Sequence, residues 1–335
     1  MKTKTPLQDQ PNAIQIELTE GCNLRCTFCG LNGIRGKSNN FKFLTIKRAK
    51  EIVKKIQASA WNPVRIEFAM HGEPTFNEQM FLIVKEFAKL HMCSLMMTTN
   101  GAGLAKHKDR VFRLFEAGLH TLAIDEYEGI TYGNQIRDFF WAKQKEFYHA
   151  GVKKFEYPVE PEGNPHTRKM TKRLVFIADI NKVKDGYGTH SKLNNHCGAG
   201  APKNDTKKDQ RCAKPFRELS IRYNGAVAVC CNDWRGEYII GNIKDFKSIE
   251  DLWQSEPFVL ARKKLYNKER DFGPCDGCDA VSTRVGLLPD RMGKQSLPPL
   301  TAHEKRKLNT IVAAGVAKPL AKPFLRTWEK KAGKK

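Results

Sequence analysis

The sequence predicts an α/β fold in which a curved parallel sheet of six βα units is followed by a small cysteine-bearing module. Residues 13–180 alternate apolar strand-like runs with helical patterns, as βα repeats do. Two of the helical patterns end at Gly118 and Gly151, and glycine readily adopts the left-handed turn that follows a helix. The ten cysteines fall mostly in two clusters, one directly after the first strand and one from residue 212 onward.

Six runs are predicted to form strands and four to form helices. The strands are Ala13–Leu18, Val64–Ala69, Cys93–Thr98, Thr121–Asp125, Lys153–Val159 and Leu174–Ile180. The helices are Thr45–Ala58, Phe76–Leu90, Lys106–Ala117 and Asn134–Ala150. In the first helix the apolar side chains recur on one face, and Thr45 is a candidate N-cap. Active sites of such sheets lie at the carboxyl ends of the strands, where the first cysteine cluster is expected.

Charge and composition limit the classes of function that the protein can have. The 335 residues include 58 basic and 36 acidic side chains, a net charge of +22, which indicates a polyanionic partner such as nucleic acid. A basic surface that only aids solubility is the alternative. No apolar run approaches the ~18 residues of a membrane span, and the N-terminus lacks the apolar core of a signal peptide. We therefore expect a cytoplasmic protein whose cysteines bind metal rather than form disulfides.

The first cysteine cluster has the spacing C-x3-C-x2-C, formed by Cys22, Cys26 and Cys29. Three thiolates so close together suit an iron–sulfur cluster that keeps one iron without a protein ligand. Zinc would need a fourth ligand, and the spacing fits the short pairs of zinc ribbons poorly. Disulfides are disfavoured because three neighbouring cysteines cannot all pair locally.

This motif resembles that of the radical SAM superfamily. The resemblance implies a partial (β/α)6 barrel of the TIM type and a [4Fe–4S] cluster whose open iron binds S-adenosylmethionine (SAM). It also implies an electron donor such as flavodoxin or ferredoxin, because one electron from the cluster cleaves SAM to methionine and a 5′-deoxyadenosyl radical. A non-catalytic iron–sulfur protein is disfavoured by the intact motif.

The end of the second strand extends the resemblance. The run Met70–Pro74 is similar to the family's Gly-Gly-Glu-Pro segment, with His71 in place of the first glycine and with Gly72, Glu73 and Pro74 matching. The resemblance implies that the backbone of this segment and the carboxylate of Glu73 bind the ammonium of SAM, an interaction that is charge-assisted.

Other candidate SAM contacts follow the first, third and fourth strands. Thr99 and Asn100 could meet the ribose and carboxylate of SAM, although Thr-Asn-Gly is also an ordinary turn signal. Phe28 resembles the aromatic residue that borders the adenine in the family. The family's polar residue at the end of the fourth strand corresponds to Asp125 or Glu126.

The second cysteine cluster begins a separate structural pattern. Its members are Cys212, Cys230, Cys231, Cys275 and Cys278. Two apolar strands, Leu219–Tyr223 and Ala226–Cys230, are joined by Asn-Gly, a strong hairpin signal that returns Cys230 towards Cys212. Helices at Ile249–Trp253 and Pro257–Tyr266 then lead to the closing C-x2-C pair.

This stretch resembles the SPASM/twitch extension of radical SAM enzymes in its Cys-x-x-Pro-Phe, Asn-Gly, Gly-Asn-Ile and C-x2-C elements. The resemblance implies one auxiliary [4Fe–4S] cluster. Its ligands would be Cys212, Cys230, Cys275 and Cys278. Cys231 is the alternative to Cys230, and a four-thiolate zinc site is the alternative to the cluster.

Two cysteines stand outside both clusters. Cys93 begins an apolar strand and is predicted to be a small core residue. Cys197 precedes the auxiliary module and is a candidate catalytic residue, as a hydrogen-atom donor to a product radical. An extra cluster ligand and an inert side chain are the alternatives.

We divide the chain into four parts: a barrel at 1–180, a basic bridging segment at 181–211, an auxiliary-cluster module at 212–283 and a basic tail at 284–335. The tail has 13 Lys and Arg against 3 Asp and Glu and is expected to be partly extended, with proline-containing repeats.

The favoured function is modification or isomerisation of a nucleotide in polymeric nucleic acid, with DNA preferred. The specific hypothesis is a radical isomerase that acts on amino-acid-modified thymidine in bacteriophage DNA. Aromatic residues of the barrel could stack on an extruded base or belong to the core. These are Tyr132, Phe139, Phe140 and Trp141. Modification of tRNA or rRNA stays open, and so does maturation of a peptide. The peptide hypothesis is disfavoured because only twelve residues precede the first strand.

Overall fold

The computed structural model describes residues 11–26, 28–35, 40–60, 63, 65–91, 93–126, 132–156, 171–177, 194–200, 209–280 and 298–316. The predicted strand ends at Val159 and Ile180 lie outside this part of the chain. So do most of the predicted basic bridging segment and most of the predicted basic tail.

The described residues form eleven strands and nine α-helices. The strands are β1 (Ala13–Glu17), β2 (Thr19–Glu20), β3 (Lys42–Phe43), β4 (Arg65–Ala69), β5 (Ser94–Thr99), β6 (Thr121–Asp125), β7 (Val152–Glu156), β8 (Lys172–Ile177), β9 (Glu218–Ile221), β10 (Ala226–Ala228) and β11 (Ile239–Asn242). The helices are α1 (Ile46–Gln57), α2 (Met80–Phe87), α3 (Ala102–Ala105), α4 (Asp109–Glu116), α5 (Tyr132–Ala142), α6 (Gln144–His149), α7 (Ile249–Trp253), α8 (Glu256–Tyr266) and α9 (Ala302–Val316). None of the helices in the described part of the chain has the length and apolar character to cross a membrane.

Most of the strands belong to one sheet, in the order β11-β10-β9-β1-β4-β5-β6-β8-β7. The pairs from β9 to β7 are parallel, whereas β10 and β11 are added to β9 antiparallel. The predicted mixed α/β fold with a parallel sheet is confirmed. Because β9 pairs directly with β1, the hairpin of the auxiliary module continues the sheet of the barrel.

The order of the last two parallel strands differs from a simple series of βα units. β8 lies between β6 and β7, so β7 is the edge strand. The apolar side chains explain the exchange, because β8 buries Leu174, Val175 and Phe176, whereas β7 carries Lys153 and Lys154. An interior strand must cover both of its faces, and lysines are suited to an edge.

The predicted helix ends agree with the structure where a capping residue determines the end. The Thr45 side chain accepts a hydrogen bond from the backbone N–H of Arg48, as its predicted N-cap role requires. Gly118 and Gly151 have φ angles of 106° and 74°, which confirms the predicted helix stops. The predicted Asn134–Ala150 helix is wrong as one element, because it is broken at Lys143 into α5 and α6.

Two further helix starts were misplaced by the pattern. α2 begins at Met80 rather than Phe76, because Pro74–Phe76 forms a 3-10 turn and Asn77 donates to the carbonyls of Leu18 and Leu44. The pattern assigned to Lys106–Ala117 begins at Asp109, after the separate short helix α3.

The basic tail is not wholly extended. Within it α9 begins after a reciprocal cap, in which Thr301 Oγ1 accepts from the Glu304 N–H and Glu304 accepts from the Thr301 N–H. Leu308 is buried and Lys263 pairs with Glu304, so α9 packs against α8. Buried leucine contacts of this kind outweigh the extending effect of the neighbouring prolines and charges.

A buried ion pair connects the barrel to the auxiliary module. His71 Nδ1 lies 2.6 Å from a carboxylate oxygen of Glu17, and His71 Nε2 lies 2.9 Å from the carbonyl oxygen of Cys231. Both partners accept, so both ring nitrogens carry a proton. Burial by itself raises the pKa of the Glu17 carboxyl, but His71 and Arg222 outweigh it and the pKa is lowered.

Glu17→Gln should lower the free energy of unfolding by about 3 kcal/mol, because it leaves the His71 cation buried without its anionic partner. The folded-state pKa of Glu17 is lowered, so its contribution is present above its unfolded value of about 4.3 and is lost as the pH falls through the folded value. Urea unfolding between about pH 2.5 and pH 5.5 should show a weaker acid dependence in the variant.

The matched control is Glu51→Gln, which removes a partly exposed pair with Arg48 and should cost less than about 1 kcal/mol. Equal losses in the two variants would contradict the role of the buried pair.

Candidate functional site

The loop after β1 carries Cys22, Cys26 and Cys29 and is shaped by two polar side chains. Arg35 donates to the carbonyl oxygens of Cys22 at 3.0 Å and of Leu24 at 2.5 Å. Asn32 donates to the carbonyl oxygen of Cys26 at 2.6 Å and accepts from Arg35 at 2.6 Å. The backbone that presents the three predicted thiols is therefore fixed from within the loop.

The three thiols act on one another. Burial raises the pKa of the Cys22 thiol to about 12, and the nearby charges of Glu73, Cys29 and Cys26 add to the effect. Burial and the charge of Cys29 raise the pKa of Cys26 to about 11, and burial also raises the pKa of Cys29. In the metal-free protein these thiols therefore keep their protons at neutral pH, and a cationic metal centre must displace them.

A network around Glu73 joins the carboxyl ends of β4 and β5. The buried Glu73 carboxylate accepts hydrogen bonds from the Thr75 and Thr99 hydroxyls and from the Asn100 N–H at 2.8 Å. Burial raises the pKa of Glu73, although these hydrogen bonds oppose it. The Asn100 side-chain amide lies 3.5 Å from Cys22 Sγ, so this network reaches the cysteine loop.

Gly72 stands where the chain leaves no room for a side chain. The Glu73 N–H donates to the Gly21 carbonyl at 2.9 Å, which holds the segment beside the strand that enters the cysteine loop. A Cβ on Gly72 would lie 2.3 Å from the carbonyl oxygen of Thr19 and 2.4 Å from that of Gly21. Pro74 follows as the first residue of the buried 3-10 turn.

The remaining candidate SAM contacts lie on different sides of the loop. The Phe28 carbonyl oxygen approaches Gly200, where a Cβ would come within 2.6 Å of it. The charge of Asp125 acts on the Cys26 thiol, whereas Glu126 forms an ion pair with Arg137 at 2.6 Å. Of the two acidic candidates, Asp125 is the one beside the cysteine loop.

The second site gathers buried thiols from three parts of the auxiliary module. Its predicted members are Cys212, Cys230, Cys275 and Cys278, each at most 6% exposed. Their charges act on one another, and burial raises the pKa of Cys212 to about 12. The neighbouring Cys231 thiol lies 3.7 Å from Lys214 Nζ, and the Cys231 carbonyl oxygen faces His71.

Two buried cations lie beside these thiols. The charge of Arg270 acts on Cys212, Cys275 and Cys278, and the charge of Lys214 acts on Cys230 and Cys212. The pKa of Lys214 is raised by these neighbours and by Cys231 and Glu218, although burial opposes the rise. Buried negative charge is costly unless it is paired, so this arrangement suits an anionic metal centre.

Cys197 joins the second site. Its thiol is buried, and its interactions with Cys230 and Cys278 raise the pKa of Cys197, while the interaction with Cys197 lowers the pKa of Cys278. The sequence singled out Cys197 but did not indicate its contact with Cys230, which lies 33 positions further along the chain.

The donor chemistry fits iron–sulfur clusters at both places: three mutually close thiols in one loop, and buried thiols with buried cations in the module. No group of three or more His, Cys, Asp or Glu side chains in the described residues has the spacing of a single-ion site. The fit therefore rests on the donors and on the surrounding charge.

Trp234 connects the two sites and was missed at the level of sequence. Its ring lies between those of His71 and His196, with centroid distances of 4.5 Å and 5.1 Å. It also covers Gly30, where a Cβ would meet the indole at 2.8 Å. The only sequence signal is its place three residues after the Cys230-Cys231 pair.

The four aromatics of α5 divide between core and surface. Phe139 and Phe140 pack against Phe147, which confirms the core interpretation for these two. Tyr132 is partly buried against the same core, whereas Trp141 is 53% exposed. Only Trp141 of this group presents most of its ring to solvent.

Comparison with known families identifies the two parts. Residues 16–125 match the radical SAM superfamily, and residues 212–279 match the iron–sulfur cluster-binding domain called SPASM. The chain contains a radical SAM domain and a SPASM domain. The radical SAM domain implies SAM and a [4Fe–4S] cluster, and the SPASM domain implies auxiliary iron–sulfur ligation.

Curated relatives share only part of this chain. The GTP 3′,8-cyclase of Haemophilus influenzae (strain PittEE) is 29% identical over 102 residues, which is 30% of this chain and 29% of the relative. The GTP 3′,8-cyclase of Pasteurella multocida (strain Pm70) is 33% identical over 94 residues, which is 28% of this chain and 27% of the relative. The chain thus spans less than a third of the length of these relatives.

Solved structures show the likeness of fold. The structure of BtrN in complex with AdoMet and 2-DOIA superposes with a TM-score of 0.59 at 20% identity. The match covers 82% of this chain and 95% of that chain, and so extends over both domains.

Gly72→Ala should prevent assembly of the first cluster while leaving the second, because the new methyl group collides with two carbonyl oxygens beside the cysteine loop. Two [4Fe–4S] clusters correspond to about eight irons per chain, so the variant should retain about four. Iron and sulfide analysis after anaerobic reconstitution measures this.

Gly151→Ala is the matched control, because its Cβ would meet nothing within 4 Å and the residue lies in the turn between α6 and β7, outside both cysteine clusters. It should retain the full iron content. Full iron content in Gly72→Ala would show that the close approach does not matter for assembly.

Proposed function

We propose that this protein is a radical SAM enzyme that cleaves SAM reductively and abstracts hydrogen from a nucleotide in a polymeric nucleic acid. The observation that carries the proposal is the meeting of the three-thiol loop with the buried Glu73 network at the carboxyl ends of β4 and β5. Reactive groups of parallel α/β sheets lie at this edge.

The residues we assign to the first cluster are Cys22, Cys26 and Cys29. When bound there, the cluster supplies an electron to SAM and yields a 5′-deoxyadenosyl radical and methionine. The residues we assign to SAM are Phe28, Gly72, Glu73, Pro74, Thr99 and Asn100. Thr75, Thr99 and Asn100 hold the Glu73 carboxylate in place, and a buried carboxylate held in this way can orient an ammonium group.

The residues we assign to one auxiliary [4Fe–4S] cluster are Cys212, Cys230, Cys275 and Cys278. Arg270 and Lys214 offset the negative charge of the four thiolates. The thiol ligands require a reducing compartment, so we place the enzyme in the cytoplasm with a flavodoxin or ferredoxin as electron donor. The assignment of Cys197 as a hydrogen-atom donor stays a prediction.

The net charge of +22 supports a nucleic acid as substrate, with DNA preferred. Our specific hypothesis is an isomerase of amino-acid-modified thymidine in phage DNA. The names of the partial relatives include GTP, which agrees with a nucleotide substrate. Modification of tRNA or rRNA and peptide maturation are the alternatives that the binding experiment below separates.

Anaerobically reconstituted and reduced protein should release 5′-deoxyadenosine from SAM, and the Cys22/Cys26/Cys29→Ala variant should lose this activity. Chromatography of the products measures it. The matched control is Cys93→Ala, which removes a buried thiol whose partner is the Pro63 carbonyl, far in sequence from both cysteine sites. Release by the triple variant at the wild-type rate would refute the proposal.

Binding to duplex DNA should weaken steeply with salt, by about 0.9 log units per contacted phosphate for each tenfold rise in concentration. Truncation after Val316 keeps the packed helix α9 and removes seven basic residues and one acidic residue, a net change of −6. We expect a flatter salt dependence in the truncated protein, with SAM cleavage unchanged.

The measurement compares duplex DNA, tRNA and a neutral peptide by fluorescence anisotropy across salt concentrations. Tighter binding of tRNA would favour RNA modification. Weak, salt-insensitive binding to both nucleic acids would contradict the proposed substrate and favour the peptide alternative.

A further inference from the structure

The two faces of the sheet have different surroundings. Leu95 and Met97 of β5 and Leu174 and Phe176 of β8 pack into the core that the helices cover. Successive side chains of a strand point to opposite faces, so Arg173 and the other residues between these lie on the face away from the helices. We call this face the inner face of the sheet.

The inner face is closed near β4 and open near β7. Glu67 of β4 lies on it and is 3% exposed. The same row of the sheet continues through Met96 and Thr121 to Arg173, which are all partly exposed. It ends at Lys153 on the edge strand β7, which is exposed. Access to the inner face therefore increases towards β7.

Two cations and an aromatic ring meet at this open end. Lys153 and Arg173 are register partners on neighbouring parallel strands, so both charges lie on the inner face. Like charges placed opposite each other on neighbouring strands repel, and an anion bound between them relieves the repulsion. Phe155 follows two residues after Lys153 on the same face, and its ring centroid lies 5.4 Å from the guanidinium carbon of Arg173.

The cations on the other face of the same edge are neutralised within the protein. Lys154 and Arg137 both pair with the carboxylate of Glu156, and Arg137 also pairs with Glu126. Strand β7 has one acidic residue, and it is Glu156, so its carboxylate is already engaged on that side. The inner face of this edge therefore has an excess of positive charge.

The inner face also connects the basic edge with the first cysteine site. Asp125 is the one acidic residue that β6, β7 and β8 place on this face, and its charge acts on the Cys26 thiol. Four positions along the strands separate Asp125 from the row of Lys153 and Arg173, a distance of about 13 Å. A group held at the basic edge thus lies on the same surface as the cysteine loop.

This combination of side chains has the chemistry of a nucleotide subsite. Cations neutralise a backbone phosphate, and an accessible aromatic ring offers a surface on which any base can stack. Enzymes that modify a base in a polymer take the nucleotide out of its stack, and they need groups that hold it outside. An acidic peptide would use the two cations but would have no need of the ring.

We propose that Lys153 and Arg173 together bind one backbone phosphate of the nucleic-acid substrate and that Phe155 stacks on the adjacent base, at the β7 edge of the inner face. The inference rests on the proposed function, and it deepens that function by naming where the polymer is held.

The test uses the reconstituted full-length protein and two labelled probes, a short oligothymidylate and an abasic strand of the same length. Binding is measured by fluorescence anisotropy across salt concentrations. The variants are Lys153→Gln/Arg173→Gln, Lys153→Gln alone and Phe155→Leu, which keeps apolar bulk without the ring. Lys154→Gln is the matched control, because it removes the same charge one residue away on the opposite face. Thermal unfolding is recorded for each protein.

The double variant should flatten the salt dependence by about 0.7 log units for each tenfold rise in salt, the value of one phosphate on a single strand. Phe155→Leu should weaken binding of oligothymidylate about tenfold and leave binding of the abasic strand unchanged. Lys154→Gln should behave as the wild type. Lys153 is exposed, so Lys153→Gln carries the comparison with Lys154→Gln if the double variant does not fold.

Equal salt dependence in Lys154→Gln and in the folded Lys153 variants would overturn the subsite, while binding of oligothymidylate by the wild type would leave the proposed function standing. Equal weakening of both probes by Phe155→Leu would overturn the stacking role. Failure of the wild type to bind either strand would refute the proposed function and the inference with it. Tighter binding of a polyglutamate peptide than of oligothymidylate, lost in the Lys153 variants, would make this edge a peptide site and overturn the inference.

Discussion

The buried contact of His71 with Glu17 and with the carbonyl of Cys231 fixes the position of one cysteine-bearing domain relative to the other. Glu17 is the last residue of β1, and the loop after β1 carries the first three cysteines. Cys231 directly follows Cys230, one of the thiols of the second site. Parallel pairing of β9 with β1 makes this contact part of one sheet. A charge-assisted pair without access to water tolerates little displacement, since either partner alone would be buried and uncompensated. The separation of the two sites is therefore a property of the sheet.

The electrostatics of the two sites differ although both are built from thiols. In the first, burial, Glu73 and the neighbouring cysteines raise the pKa of Cys22, and one partly buried cation, Arg35, acts against the rise at Cys26 and Cys29. In the second, two buried cations, Arg270 and Lys214, lie beside the thiols. A cluster that must bind SAM needs an exposed iron and a polar surround, whereas a fully ligated cluster is best sealed among apolar residues and paired cations.

The sequence pattern predicted those features of the fold that depend on neighbouring residues alone. The cap at Thr45, the stops at Gly118 and Gly151, and helix α7 follow from neighbouring residues and are observed. The Gly72–Glu73 segment also lies where its motif indicated. Contacts between distant parts of the chain could not be read in this way. The exchange of β7 and β8, the packing of α9, the partners of His71 and the convergence of Cys197 on Cys230 and Cys278 depend on tertiary packing that spacing does not encode.

The central claim is that one folded chain holds two iron–sulfur clusters of different access, only one of which binds SAM. Electron paramagnetic resonance of the reduced, reconstituted full-length protein tests it most directly, with and without SAM. The account predicts two [4Fe–4S] signals, one of which changes when SAM is added while the other does not. A single cluster signal, or two signals that both stay unchanged when SAM is added, would contradict it.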